Sequence, residues 1–212
     1  MMNTMHVMGG AMTRFGKHPG VKAPELAQQA ILSAVDDAGL QLADIQAIYC
    51  ANVLGGMILG QVILRDLGLN GVPVYNVENA CASGATAVHL ARHALLADQY
   101  DTVLVFGIEQ LTALGGGTIP LQRNDEKTDL FAKAGMVLPA VYAMRATRFL
   151  YERDASPADL AAVAVKNRHH GSLNEYAQQR SEVTLEEVLA SRVIADPLTL
   201  LQCCPSQVDG AA

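Results

Sequence analysis

The stretch that decides the fold is Val74-Tyr75-Asn76-Val77-Glu78-Asn79-Ala80-Cys81-Ala82-Ser83-Gly84. It opens with a short Val-rich run, which predicts a β-strand over 72–77. A tight turn follows, and a long apolar helix is predicted from Cys81 to Leu96. Cys81 is therefore expected where a strand gives way to the start of a helix. Backbone N–H groups at such a position favour a thiolate and can donate to an oxyanion.

Strands and helices alternate along the first half of the chain. Strands are predicted at 5–8, 45–53, 72–77 and 102–107, and helices at 25–38, 57–67 and 81–96. Gly39 and Gly68 stand where the first two helices are expected to end. The 102–107 strand is continuously apolar, which predicts burial on both of its faces. The alternation favours an α/β fold with a parallel sheet.

The pattern changes near Leu114. Gly115–Gly117 mark a break, residues 118–135 are polar without periodicity, and a solvated charged loop is expected at Arg123–Asp129. We predict a sheet domain at 1–113, a helical loop insertion at 114–206 and the start of a returning strand at 207–212.

Helix signals resume after the polar stretch. A helix is predicted over 138–153. Ser156, Pro157 and Asp159 form the start signature of another helix, with a cap, a first-turn proline and an acidic third position. Thr184 and Glu187 match a capping box for a further helix.

Composition excludes several classes of protein. The chain has 212 residues, half of them apolar, and a net charge of −6 without a basic run, which argues against nucleic-acid binding. No apolar run approaches the roughly 18 residues of a membrane span. The first residues do not resemble a signal peptide, so we expect a cytoplasmic protein. None of the four cysteines forms a C-x-x-C pair, which favours free thiols over a disulfide framework or a metal site.

Cys81 has two interpretations from the residues alone. It is a nucleophile at a helix start, or a small buried residue, because buried cysteine is common. The motif Glu78-Asn79-Ala80-Cys81-Ala82-Ser83-Gly84 resembles the nucleophile motif of thiolases. The continuation, Ala87-Val88-His89-Leu90-Ala91 and then Asp101 to Glu109, also resembles that family.

Further segments resemble the sterol-carrier-protein-type branch of the family, so that the resemblance covers nearly the whole chain. They are Gly10 to Gly16, Tyr142-Ala143-Met144, Val165 to Asn174, Pro197 to Pro205 and Asp209 to Ala212. The resemblance implies a thiolase-like layered fold: a mostly parallel five-stranded sheet between helices, with a helical loop insertion. It also implies that only the first half of such a protein is present. No stretch matches the second-half motifs that supply an activating His and a second Cys.

The resemblance implies an acyl-CoA C-acyltransferase in which Cys81 carries the acyl group, in thiolytic cleavage or Claisen condensation. Asn79 and Gly84 would support the turn and the oxyanion, and Met144 and His169 would contact the substrate. A solvated position at a helix end is the other interpretation of His169. No permanent cofactor and no metal are expected, and coenzyme A and acyl-CoA are substrates.

The resemblance also implies partners. A homodimer or tetramer is expected, with the 72–77 strand paired with its two-fold mate and the returning strand beside 102–107. The alternative function is an acyl-binding subunit that acts with a small zinc-ribbon and oligonucleotide-fold partner, or a catalytically incomplete lipid-handling relative. We interpret His89 and His93 as packing or interface residues, and Glu78 and Glu109 as structural hydrogen-bond partners.

Overall fold

A computed structural model of the chain describes residues 4–115 and 136–212. The chain divides into two compact units, Met1–Gly115 with Gln207–Ala212, and Gly116–Ser206. The charged loop predicted at 123–129 and the glycines at 116 and 117 lie outside the described residues.

The described helices and strands alternate in the first unit and are mostly helical in the second. In chain order they are α1 Ala23–Asp37, β1 Ala47–Ala51, α2 Leu59–Arg65, β2 Val74–Val77, α3 Ser83–Leu96, β3 Val103–Gln110, α4 Leu138–Arg153, α5 Pro157–Leu173, α6 Leu185–Ala190, β4 Val193–Ala195, β5 Leu198–Thr199 and β6 Asp209–Ala211.

The sheet of the first unit has the strand order β2-β1-β3-β6. β1 lies parallel to β2 on one side and to β3 on the other. β6 returns from the second unit and pairs antiparallel with the end of β3, with Ala211 opposite Ile108. The predictions of a mainly parallel α/β sheet and of a returning strand beside β3 are confirmed.

Helices cover both faces of this sheet. β1 is an inner strand, and all five of its residues are buried. Ile48 and Cys50 point to the face covered by α1 and α2, whereas Ala47, Tyr49 and Ala51 point to α3. α3 presents Ala87 and Ala91 to the sheet, and these small side chains let the helix approach closely.

β3 differs from the prediction of burial on both faces. Its residues alternate, with Leu104, Phe106 and Ile108 buried and the positions between them partly exposed. The buried set packs under α1 and α2, whereas Val103 and Val105 lie beside the small side chains of α3, which cover them less completely.

The prediction of a strand at 5–8 is wrong. Met5, Val7 and Met8 are exposed and belong to no strand. The chain instead crosses the end of α1, where a Cβ on Gly9 would stand 2.5 Å from the backbone nitrogen of Ala38. The Gly10 N–H donates to the Asp37 carboxylate at 2.9 Å. This N–H is therefore not available for pairing with a neighbouring strand.

Local signals placed the helices of the second unit correctly. α4 has the bounds predicted for it. Ser156 and Asp159 form a capping box at the start of α5, and Thr184 and Glu187 form one at the start of α6. The bonds from Ser156 hold the pKa of Asp159 below its usual value. β4 and β5 pair antiparallel within the same unit.

Candidate active site

Cys81 lies in the turn between β2 and α3. β2 ends at Val77 and α3 begins at Ser83, two residues later than predicted, so Cys81 precedes the helix. Its side chain is exposed to solvent. The interpretation of Cys81 as a small buried residue is therefore wrong, and its thiol is accessible to a reactant in this structure.

Hydrogen bonds hold the backbone of this turn. Ala80 has a positive φ of 46°, a left-handed conformation that residues other than glycine rarely adopt. The carboxylate of Glu78 accepts a bond from the Ala80 N–H at 2.7 Å. The N–H groups of Ala82 and Ser83 donate to the carbonyls of Asn79 and Ala80, at 3.0 and 3.1 Å. The prediction that Glu78 is a structural hydrogen-bond partner is confirmed.

The Ser83 hydroxyl lies at the centre of the turn and is nearly buried, with 5 % of the residue exposed. It accepts a bond from the Asn79 N–H at 2.8 Å and donates one to the Ala80 carbonyl at 2.7 Å. The Asn79 side chain donates to the Thr86 hydroxyl at 2.9 Å. Sequence reasoning missed Ser83 and Thr86, although hydroxyl residues beside a tight turn are a recognisable signal.

The prediction of free N–H groups around Cys81 needs correction. Those of Ala82 and Ser83 are already bonded to carbonyls of the turn. The next two residues, Gly84 and Ala85, are exposed, and no side chain of the described residues caps this helix end. An anion at the turn would therefore meet the first turn of α3. A Cβ on Gly84 would meet no atom within 4 Å, so packing inside the described chain does not require glycine there.

A second loop lies beyond the carboxyl ends of the parallel strands. The Glu109 carboxylate accepts bonds from the N–H groups of Val53 and Leu54, at 2.9 and 3.2 Å, which confirms its predicted structural role. This loop continues to Met57 and Ile58, whose side chains are largely exposed. Sequence analysis assigned these two residues to a helix and did not single them out.

The other cysteines differ from Cys81 in environment. Cys50 is fully buried in β1, and burial raises the pKa of its thiol to about 12. Burial also raises the pKa of Cys203, with a smaller contribution from Cys204. Cys204 is exposed. Accessibility therefore separates Cys81 and Cys204 from Cys50 and Cys203, and does not separate Cys81 from Cys204.

Two predicted substrate residues belong to the second unit. Met144 is half exposed on α4. His169 is exposed on α5, and its Nδ1 donates to Glu182 at 2.8 Å. This bond holds the pKa of Glu182 below its usual value. The contact of either residue with a substrate stays a prediction.

His89 and His93 lie on exposed turns of α3, with ring centroids 4.3 Å apart. Among residues 4–115 and 136–212, no group of three or more His, Cys, Asp or Glu side chains is placed to hold a metal ion. In the same part of the chain, no helix has the length and apolarity that crossing a bilayer would demand.

Comparison with known families identifies the family of this chain. The family model described as thiolase, N-terminal domain, matches residues 5–207. The chain belongs to the thiolase N-terminal domain family. The resemblance read from the Cys81 motif is confirmed, and so is the α/β fold with a mainly parallel sheet between helices. The sheet has four strands among the described residues where five were expected, because residues 5–8 form no strand.

Curated relatives support this placement over the whole chain. The benzoylsuccinyl-CoA thiolase subunit BbsB of Thauera aromatica is 38 % identical over 98 % of this chain and 53 % of its own length. An acetyl-CoA acetyltransferase of Methanothermobacter thermautotrophicus is 35 % identical over 100 % of this chain and 56 % of its own length. Sterol carrier protein 2 of Gallus gallus is 33 % identical over 100 % of this chain and 41 % of its own length. The chain thus spans about half the length of the curated relatives it matches.

A solved structure shows the same fold. The Ltp2-ChsH2(DUF35) aldolase superposes with a TM-score of 0.78 at 26 % identity, and the match covers 96 % of this chain and 53 % of that chain.

Proposed function

We propose that this chain is the nucleophile-bearing part of an acyl-CoA C-acyltransferase of the thiolase type, with Cys81 as the acyl acceptor. One observation carries the proposal: an exposed thiol stands in a hydrogen-bonded turn directly before the uncapped start of α3. Relatives named as acetyl-CoA acetyltransferases support the reaction class.

The chemistry follows from a thiolate at this position. In thiolysis the Cys81 sulfur attacks the 3-oxo carbon of a 3-oxoacyl-CoA, and an S–C3 bond forms. The C2–C3 bond then breaks, its electron pair stays on C2, and C2 takes a proton and leaves as acetyl-CoA. The acyl group remains on Cys81 as a thioester until the thiolate of free coenzyme A displaces it. A covalent intermediate divides one difficult step into two easier ones.

The other residues have supporting roles in this proposal. Asn79 holds the turn through its backbone and side-chain bonds. Gly84 leaves open space beside the first turn of α3, where the oxyanion would meet N–H donors. Met144 and His169 would contact coenzyme A, which is a substrate here, and no permanent cofactor is involved. Four free cysteines fit the reducing cytoplasm that we propose as its location.

The test is acyl transfer from acetyl-CoA to the chain, mapped by mass spectrometry of peptides. This step needs only a nucleophile: the Cys81 sulfur gains the acetyl group, and coenzyme A leaves as a thiolate. We expect the acetyl group on Cys81 and the same yield in a Cys204→Ser variant, which removes the other exposed thiol. Acetylation of Cys204 in preference to Cys81 would contradict the proposal. Alkylation alone is not decisive because both thiols are accessible.

A second candidate function is an acyl-binding subunit of a larger complex. The Ltp2-ChsH2(DUF35) aldolase, with 26 % identity, is a two-component assembly by its name, and BbsB is named a subunit. A small zinc-ribbon and oligonucleotide-fold partner would suit this function. The same acylation experiment separates the candidates: transfer of the acetyl group to Cys81 with release of coenzyme A favours the acyltransferase, and binding of acetyl-CoA without transfer favours the subunit.

We also propose a homodimer, or a tetramer built from it, through β2. β2 is the edge strand of the sheet, and its sequence has no Lys or Pro to block pairing with a second strand. Tyr75 on this strand is 43 % exposed. Pairing with its two-fold mate would give an isologous interface.

The expected result is a dimer mass in light scattering at micromolar protein, and a monomer mass for Tyr75→Lys, because the substitution places a like charge on the interface strand of each copy. Val7→Lys is the control, since Val7 is 84 % exposed and lies outside the strands. A monomer mass for the unmodified chain would exclude this interface.

A further inference from the structure

The turn that carries Cys81 is strained at one residue. Ala80 has φ of 46°, and an L-residue in the left-handed region is strained relative to one in the right-handed region. Such a residue keeps its conformation only where its surroundings fix it. Ala80 immediately precedes Cys81, so its backbone angles decide where the Cys81 side chain points.

The Ser83 hydroxyl contacts both sides of the strained residue. It accepts from the Asn79 N–H, before Ala80, and donates to the carbonyl of Ala80 itself, at 2.8 and 2.7 Å. The hydroxyl is nearly buried, which reduces competition from water for these two bonds. One side chain thus connects the start of α3 to the peptide groups on either side of the strained α-carbon.

We infer that Ser83 is a positioning residue, whose hydroxyl holds Ala80 in the left-handed conformation and so directs the Cys81 sulfur for attack on an acyl carbonyl. The inference rests on the proposed function, since it assumes that Cys81 accepts the acyl group. Thr86 contacts the same turn differently. Its hydroxyl accepts from the Asn79 side chain at 2.9 Å and does not touch the Ala80 carbonyl, so it anchors Asn79 without fixing Ala80.

The test compares four variants with the unmodified chain: Ser83→Ala, Ala80→Gly, the double variant and, as the control, Ser33→Ala, which removes an exposed hydroxyl from α1. Two rates are measured at Cys81, acetylation by acetyl-CoA and alkylation by iodoacetamide, with Cys204→Ser in every background. Acetylation requires an oriented approach to a carbonyl, whereas alkylation requires an accessible thiolate. We expect Ser83→Ala to slow acetylation by at least about 10-fold and to change alkylation by less than about 3-fold, because small misplacements cost oriented reactions most. Ser33→Ala should leave both rates within about 3-fold of the unmodified chain, because surface substitutions away from a site rarely affect it.

The double variant tests the strain directly. Glycine adopts a positive φ without steric cost, so once Ala80→Gly is introduced the hydroxyl is no longer needed to hold the turn. We expect Ser83→Ala to slow acetylation by less than about 3-fold in the Ala80→Gly background, a coupling that a double-mutant cycle measures. A purely structural role of Ser83 would show no such rescue. If Ser83→Ala alone fails to fold, the double variant can still be measured, because Ala80→Gly removes the strain at position 80 and so stabilises the turn.

The outcomes distinguish this inference from the proposed function. If the unmodified chain takes no acetyl group at Cys81, the proposed function is overturned, and the inference falls with it. If the unmodified chain is acetylated and Ser83→Ala is acetylated equally fast, the inference alone is overturned. An equal loss from Ser83→Ala with and without the Ala80→Gly change would also overturn it.

Discussion

Cys81→Ser is expected to slow transfer of an acyl group from acetyl-CoA by at least about 10³-fold, as loss of an enzyme nucleophile commonly does. Serine is nearly isosteric, so the turn should keep its bonds. Its hydroxyl stays protonated at neutral pH and needs an adjacent base to act as a nucleophile. The carboxylate closest in sequence, that of Glu78, is bonded to the Ala80 N–H. The measurement is the single-turnover rate of acetylation, followed by mass spectrometry of the intact chain.

Cys204→Ser and Cys50→Ser are the matched controls for this loss. Cys204 is also exposed, and Cys50 is buried with its pKa raised to about 12. Neither change should alter the rate at Cys81 by more than about 3-fold, since surface and distant substitutions rarely affect a reacting group. Acylation that survives in Cys81→Ser and disappears in Cys204→Ser would show that the nucleophile is Cys204 and that the turn before α3 does not carry it.

Elements with strong local signals could be predicted from the sequence. Gly39, with φ of 67°, ends α1 as expected because a left-handed residue stops a helix without strain. The capping boxes at Ser156 and Thr184 fixed the starts of two helices within the second unit. In each case the deciding contacts lie within a few residues of one another along the chain.

Elements that depend on distant partners could not be predicted in this way. Residues 5–8 have an apolar strand pattern, but contacts of Gly9 and Gly10 with the end of α1 take the backbone elsewhere. The alternation of burial along β3 depends on the size of the side chains that the helices on each face of the sheet present to it. A run of apolar residues in the strand does not reveal those sizes.

The candidate site also combines features that the sequence predicts with features that it does not. The position of Cys81 after a strand and before a helix followed from the sequence pattern. The exact start of α3 did not, because the bonds of the Ala82 and Ser83 N–H groups form a turn before the helix begins. The hydrogen-bonding role of Ser83 depends on the strained φ of Ala80, and nothing in the residue types alone predicts that angle.

The second large effect is expected at Asp209, at the start of β6. This residue is fully buried, and its carboxylate accepts bonds from the N–H and the hydroxyl of Thr112, at 2.9 and 2.6 Å, and from the His18 N–H at 3.4 Å. Its backbone pairs with Gly16 in both directions. The carboxylate therefore joins three separate segments of the first unit: the amino-terminal segment, the end of β3 and the returning strand.

Asp209→Ala is expected to lower the free energy of unfolding by about 3–5 kcal/mol, because the truncation leaves two or three donors without an acceptor at about 1–3 kcal/mol each. Asp37→Ala is the control. Its carboxylate is exposed and accepts from the Gly10 N–H, so its loss should cost less than about 1 kcal/mol. The measurement is urea unfolding followed by far-UV circular dichroism, where a lower midpoint at an unchanged slope reports a loss of stability in the folded state. Equal midpoints for the two variants would mean that water or a neighbouring group replaces the Asp209 carboxylate, and that the three segments are held together by backbone pairing alone.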